Sequence, residues 1–160
     1  MKMLVALVLA ALFSAPAEGK LVDKCELKTL LEEAELKNCH RHVTDEDFVA
    51  KIVCHVEKGA GFNTSAVSQR DTWTLYGIFQ LSDHLICSSG AGDSPNLCDI
   101  NCSDLIDDNV ANDIKCLETI KTKFQSHDYD HLKVDFIRMI RILFQSECYN
   151  VSASTYFADC

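Results

Sequence analysis

Nine cysteines in a chain that opens with an export signal constrain this sequence more than any other feature. Met1 to Gly19 carries a lysine at its start, an apolar run from Leu4 to Phe13, and small residues at Ala17 and Gly19. That is the layout of a secretory signal peptide cleaved before Lys20. Its apolar run is too short to span a bilayer, and no later stretch is apolar for long enough. The expected mature chain, residues 20–160, is therefore secreted and extracellular, without membrane insertion. In an oxidising compartment its cysteines read as a disulfide framework rather than as metal ligands or catalytic thiols. Eight should pair and one is left over. Spacing cannot choose among the roughly hundred pairings that eight cysteines allow. A domain of about 140 residues is near the size at which one core forms without help.

Three of the cysteines fall in one dense segment, Asn96 to Cys116, NLCDINCSDLIDDNVANDIKC. Asp104, Asp107, Asp108, Asn109, Asn112 and Asp113 gather oxygens on a turn that leads into a helix from about Val110. Hard oxygens in a tight loop suit calcium, although the spacing is not that of the twelve-residue EF-hand loop. The same groups would also cap the helix and complement its dipole. Residue pattern alone leaves both readings open. The net charge of −9 argues against nucleic acid and anionic membrane surfaces as partners.

The remaining elements follow from periodicity. Leu27, Leu30, Leu31 and Ala34 predict an amphipathic helix over Cys25 to Leu36. Thr44 with Asp47 three residues on resembles a capping box, and predicts a second helix from about Asp45 to Lys58 ending at Gly59. Arg70 to Leu81 alternates as the strands of a small antiparallel sheet. A third helix is expected from Val110 to about Gln125. A polar break follows at Ser126 to Asp130, then a strongly apolar helix over Leu132 to Phe144, read as additional core in preference to a docking face for a partner. His40 with His42, and His127 with His131, are weak metal candidates beside the plainer reading of solvated loops.

The quoted central segment, with KCEL (Lys24 to Leu27), GFNTSA (Gly61 to Ala66) and YGIFQLS (Tyr76 to Ser82), resembles the α-lactalbumin and calcium-binding C-type lysozyme family over most of Lys20 to Ile120. Beyond Ile120 the last two cysteines carry the resemblance. It implies an α+β, lysozyme-like fold with a helical lobe and a small antiparallel sheet lobe. It also implies four disulfides: Cys25 to Cys160, Cys54 to Cys148, Cys87 to Cys102, and Cys98 to Cys116. Cys39 is then an addition in a lengthened segment. It is read as a buried or capped thiol, and the protein as a monomer unless Cys39 pairs between chains.

The resemblance raises the calcium reading. It implies main-chain carbonyls of Asp104 and Asn109 and side chains of Asp107, Asn112 and Asp113 as ligands. Asn112 stands where α-lactalbumin has aspartate, which predicts retained but weaker binding.

It also places the two carboxylates of the lysozymes at Gly59 and Leu75, neither of which can donate a proton or stabilise an oxocarbenium ion. Glu57 lies two residues back, turned by roughly 200° on the helix; Asp71 is a remote substitute. The aromatic pair on which enzymes stack sugar is Leu85 and Ile86 here. Gln80 matches a cleft residue, and Trp73 is read as packing rather than as a sugar platform.

The functional expectation is a secreted, non-catalytic calcium-binding protein that acts by binding or regulating a partner. A galactosyltransferase-type protein is the partner the resemblance implies, although Glu57 and Lys58 replace its aromatic and histidine contacts. The alternative is a glycoside hydrolase or a glycan-binding protein acting on bacterial peptidoglycan. Asn63, Asn101 and Asn150 are N-glycosylation sequons, available in a secreted chain.

Overall fold

The computed structural model describes residues 19–34, 36 and 43–160. The signal sequence ahead of Gly19, and Cys39, His40 and His42, lie outside the described residues.

Helix α1 spans Lys24–Glu33 and starts where the Asp23 carboxylate accepts the main-chain N–H groups of Cys25 and Glu26. Its buried stripe is Leu27 and Leu31. The expected extension to Leu36 does not form. Ala34 closes the last turn onto the carbonyl of Leu30, and Leu36 enters the core from outside the helix.

Helix α2 spans Asp45–Ala60, and the Thr44 hydroxyl accepts the N–H of Asp47 as the cap pattern predicts. Asp47 does not complete the reciprocal half of a capping box. Its carboxylate instead accepts the N–H of Ala153, 2.7 Å away, tying α2 to the short helix α5 (Ala153–Tyr156). The expected stop at Gly59 is corrected by two residues. Gly61 adopts the left-handed conformation (φ 58°) and donates its N–H to Glu57, so Gly59 lies inside the helix. A glycine with no side chain at the first left-handed position is what ends the helix.

Strands β1 (Val67–Arg70), β2 (Trp73–Tyr76) and β3 (Leu81–Ser82) form one antiparallel sheet in the order β1-β2-β3. Val67 faces Tyr76 and Tyr76 faces Leu81 across the two ladders. The sheet begins three residues before the expected Arg70. At Gly77 (φ 74°) a Cβ would lie 1.9 Å from the carbonyl oxygen of Leu105, so a side chain is excluded where the sheet lobe meets the 3-10 turn Cys102–Leu105.

Helix α3 spans Val110–Gln125 as expected. The polar break is a 3-10 segment, His127–Leu132, and α4 spans Lys133–Leu143. Only part of α4 is core. Phe136 and Met139 are buried, whereas Val134 is 76 % exposed and Ile137, Ile140 and the following Phe144 are about half exposed. A helix at a lobe surface buries one stripe, and the apolar surplus of α4 is on the other.

The four disulfides are those the resemblance implies. The core they surround runs from Leu27 and Leu31 through Val53, Trp73, Leu75 and Ile78 to Leu85, Ile86 and Phe136. No helix among the described residues is long and apolar enough to cross a membrane.

Candidate functional site

Two regions can carry chemistry: the acidic turn ahead of α3, and the cleft between α2, the sheet and the last helices.

The turn is held by its own main chain. At the start of the 3-10 turn the Asp104 carboxylate accepts the main-chain N–H of Asn101, and the Asp104 N–H returns to the Asn101 carbonyl. Asp107 accepts the N–H of Asn109 at 2.7 Å. Asn109 precedes α3 without any side-chain cap bond, so capping does not account for the oxygens further along. Asn112 donates its amide to the carbonyl of Asp104, 3.2 Å away. Its carbonyl oxygen and both carboxylate oxygens of Asp113 are buried without a hydrogen-bond partner. Asp113 is only 1 % exposed. Burial, and then the nearby charge of Asp107, push its carboxyl up to about 8.

Three orphaned oxygens on consecutive residues fit a hard cation, whereas the other two partnerless buried side-chain atoms, Trp73 Nε1 and Ser82 Oγ, stand singly elsewhere in the chain. No three His, Cys, Asp or Glu side chains converge as a cage among the described residues. The reason is the donor set: it offers two carboxylates, Asp107 and Asp113, and otherwise an amide and main-chain carbonyls. Calcium accepts such mixed oxygen donors. His127, at the other candidate, is exposed at the surface, 3.6 Å from Asp130.

Beside this turn lies a network that sequence pattern did not signal. The main-chain nitrogen of Lys20 is 2.9 Å from both the Thr64 hydroxyl and Asp108 Oδ1, and the Thr64 hydroxyl donates to Asp108 at 2.8 Å. The Lys20 N–H, then the Thr64 hydroxyl, hold the Asp108 carboxyl below the usual range.

The cleft encloses about 530 Å³. Phe48, Ile52, Val56 and Gly59 of α2 form one wall, and Leu75, Ile78 and Leu81 of the sheet lobe another. Leu117 and Ile120 of α3 and Met139 and Ile140 of α4 close it. Gly59 and Leu75 thus face one cavity. The polar lining is Lys51, His55, Arg70, Gln80 and Gln145; no aspartate or glutamate lines it among the described residues.

Glu57 is turned away and accepts the Tyr156 hydroxyl at 2.7 Å. Asp71 pairs with Arg138 outside the cleft. Gln80 lines the wall, but its amide donates to the carbonyls of Ala66 and Gly77 and its oxygen accepts from Ser68. Both of its donors are thereby committed within the protein. Trp73 is 1 % exposed, stacked on His84 with Arg138 over its ring, so it packs rather than presents. Leu85 and Ile86 are fully buried. Of the sequons, Asn101 and Asn150 are exposed, while the Asn63 side chain accepts from the N–H and hydroxyl of Ser65.

The family model that matches residues 20–134 is described as the C-type lysozyme/alpha-lactalbumin family. Sperm acrosome-associated protein 5 of Mus musculus is 36 % identical over 124 residues, 77 % of this chain and 74 % of that protein. Alpha-lactalbumin of Homo sapiens is 31 % identical over 121 residues, 75 % of this chain and 80 % of its own length. Among solved structures, lysozyme from Equus asinus superposes with a TM-score of 0.65 at 27 % identity, covering 88 % of this chain and 98 % of that one.

Proposed function

This chain belongs to the C-type lysozyme/α-lactalbumin family, and we propose that within it the protein is secreted, binds calcium, does not cleave glycosidic bonds and acts by binding. The observation that carries this reading is the wall of the cleft. Glycoside hydrolysis needs an acid and a second carboxylate flanking the bond, and the described lining supplies hydrogen at Gly59 and hydrocarbon at Leu75. The nearest carboxylates are committed elsewhere, Glu57 to Tyr156 and Asp71 to Arg138.

Calcium is supported by the orphaned oxygens of Asn112 and Asp113. The main-chain carbonyls of Asp104 and Asn109 and the side chains of Asp107, Asn112 and Asp113 would hold it. The ion would supply positive charge among the carboxylates of the turn, bracing the 3-10 turn against the start of α3. A galactosyltransferase-type partner remains part of the proposal, and exposed Glu57 and Lys58 are the surface it would have to accommodate.

The deciding experiment has three arms on purified, disulfide-intact protein. Suspended bacterial walls should not clear. The unfolding midpoint should rise in calcium over chelator, because a ligand bound only by the folded state stabilises it. Galactosyltransferase acceptor preference is then measured with and without the protein. Clearing of walls, abolished by altering one acidic residue, would overturn the non-catalytic reading.

A further inference from the structure

We propose that the outer face of α4 is a protein-docking surface whose occupant is an acidic amphipathic helix. The inference rests on the reading that the protein acts by binding. It concerns the solvent side of α4, not the cavity beneath it, and does not depend on calcium.

The first observation is where the chain leaves its hydrocarbon. Eight large apolar side chains are exposed among the described residues, and five of them, Phe124, Val134, Ile137, Ile140 and Phe144, lie on α4, at its end or beside it. Phe124, near the end of α3, meets the buried Phe136 of α4 edge to face at 5.3 Å, which extends the patch onto a second element. Single exposed apolar residues are ordinary, whereas clustered ones mark contact surfaces.

On α4 the cluster has a helical period. Phe136, Met139 and Leu143 repeat at three and four residues and turn inward. Val134, Ile137, Arg141 and Phe144 repeat at the same spacing on the opposite side, and all four are exposed. One stripe is enough to pack a helix onto its own domain. The second is about 15 Å long, the contact length of another helix laid alongside, with anchors at the intervals that helix recognition uses.

The second observation is charge. Three of the chain's four arginines gather here: Arg138 and Arg141 one turn apart on α4, and Arg70 at the end of β1. Asp71, next to Arg70, pairs with Arg138, and Arg138 lies 5.0 Å over the Trp73 ring, which sets the sheet lobe against this flank of the helix. Lys133 is paired with Asp130. Arg70 and Arg141 are exposed and have no carboxylate partner among the described residues. Unpaired arginine beside apolar surface is the composition of an interface, because its planar fork grips carboxylates and is weakly hydrated.

Charge also chooses among occupants. A second copy packed on this face about a two-fold axis would set Arg138 and Arg141 against their own images. An anionic bilayer is repelled by the rest of a chain whose net charge is −9, and a neutral one offers the arginines nothing. A helix with an apolar stripe flanked by glutamate or aspartate satisfies both the hydrocarbon and the guanidinium groups.

Fluorescence anisotropy on the full mature protein tests the proposal with a dye-labelled helical peptide of about 18 residues, carrying leucine at helical spacing and glutamate on the flanks. A matched peptide has lysine in place of glutamate. Expected is saturable binding of one glutamate peptide per chain, weakening as salt rises, and at least about tenfold weaker binding of the lysine peptide. Val134→Glu/Ile137→Glu should weaken the glutamate peptide at least about tenfold. Arg70→Gln/Arg141→Gln should weaken it about tenfold and remove most of the salt dependence. All four side chains are exposed, so an unchanged unfolding midpoint confirms that each variant is folded.

Absence of saturable binding, equal binding of the two peptides, or binding untouched by folded Val134→Glu/Ile137→Glu would each overturn the proposal. Retention on phosphatidylglycerol vesicles, or dimerisation, that is lost in the same variant would overturn it in favour of a bilayer or a second copy. Clearing of bacterial walls by a protein that binds the glutamate peptide would instead overturn the non-catalytic reading alone. Galactosyltransferase acceptor switching by a protein that does not bind the peptide would overturn this surface and leave that reading standing.

Discussion

The side-chain amide of Asn112 lies 3.2 Å from the main-chain carbonyl of Asp104, a bond that bridges the 3-10 turn and the first turn of α3. It joins one candidate calcium ligand to another. The bond uses the amide nitrogen, which leaves the Asn112 carbonyl oxygen without a partner and available to an ion.

Asn112→Asp removes the donor and adds a charge. Calcium affinity should rise by about tenfold or more, since ligand charge tunes such sites. The unfolding midpoint in chelator should fall, because a third carboxylate joins Asp107 and Asp113 and the bond to Asp104 is lost. Calcium titration and paired melts check both directions.

The proton on Asp113 makes the calcium-free form sensitive to pH. Its carboxyl is raised from 3.8 to about 8, by burial first and by Asp107 second. Between those values the folded chain keeps a proton that the unfolded chain has released. Stability of the calcium-free protein must then decline as pH rises across that window. Calcium displaces the proton, so affinity should weaken by up to about tenfold per unit as pH falls below about 8. Asp113→Asn should flatten the chelator profile and abolish the calcium-dependent rise in midpoint.

Cleavage before Lys20 would turn a main-chain amide into an ammonium at the place where two acceptors, Thr64 and Asp108, already sit 2.9 Å away. An amide has one proton for the two of them; an ammonium has three. A chain beginning at Lys20 should therefore unfold at a higher temperature than one with an added residue in front. The difference should shrink in Asp108→Asn and at pH values low enough to protonate Asp108.

Gly77→Ala should be among the most damaging small substitutions, costing roughly 3 kcal/mol or more. Its φ is 74°, and the new Cβ would fall 1.9 Å from the backbone oxygen of Leu105, which cannot swing aside as a flexible side chain could. By contrast Gly61→Asn, at a left-handed helix end with open space around it, should cost less than about 1 kcal/mol. Denaturant melts give both values.

Phe136→Ala should destabilise by about 3–5 kcal/mol, since the ring is 1 % exposed. Val134→Ser, two residues earlier and exposed, should stay within about 0.5 kcal/mol. Comparable costs at the two positions would mean that the outer face of α4 is covered in solution.

The elements whose reasons are local were readable from sequence. Thr44 announced the start of α2 because a hydroxyl can reach an N–H three residues on, and the bounds of α3 followed from its apolar period and the polar break after it. The end of α2 was misplaced because Gly59 and Gly61 look alike in sequence; only the backbone angle separates a glycine that lines a cavity from one that ends a helix. Asp47 fitted a capping box, but a partner over a hundred residues away in sequence, Ala153, claimed its carboxylate. The disulfide pairing came from resemblance and could not have come from spacing.

At the site, the oxygens were legible and their burial was not, since whether Asp113 faces water or the interior depends on how the 3-10 turn packs on α3. The apolar surplus of α4 was read as core because composition shows how much hydrocarbon a helix carries and not which side it is on. The basic edge of α4 was hidden for a similar reason: Arg70 comes from β1 and Arg138 and Arg141 from α4, and only the fold sets the two elements side by side.

The bridges from Cys25 to Cys160, Cys54 to Cys148 and Cys87 to Cys102 all straddle the exposed segment 89–93. A protease that nicks the chain there would release no fragment. The severed halves would travel as one particle in a non-reducing gel and come apart only with a thiol. Limited digestion would thus mark this protein without dismantling it.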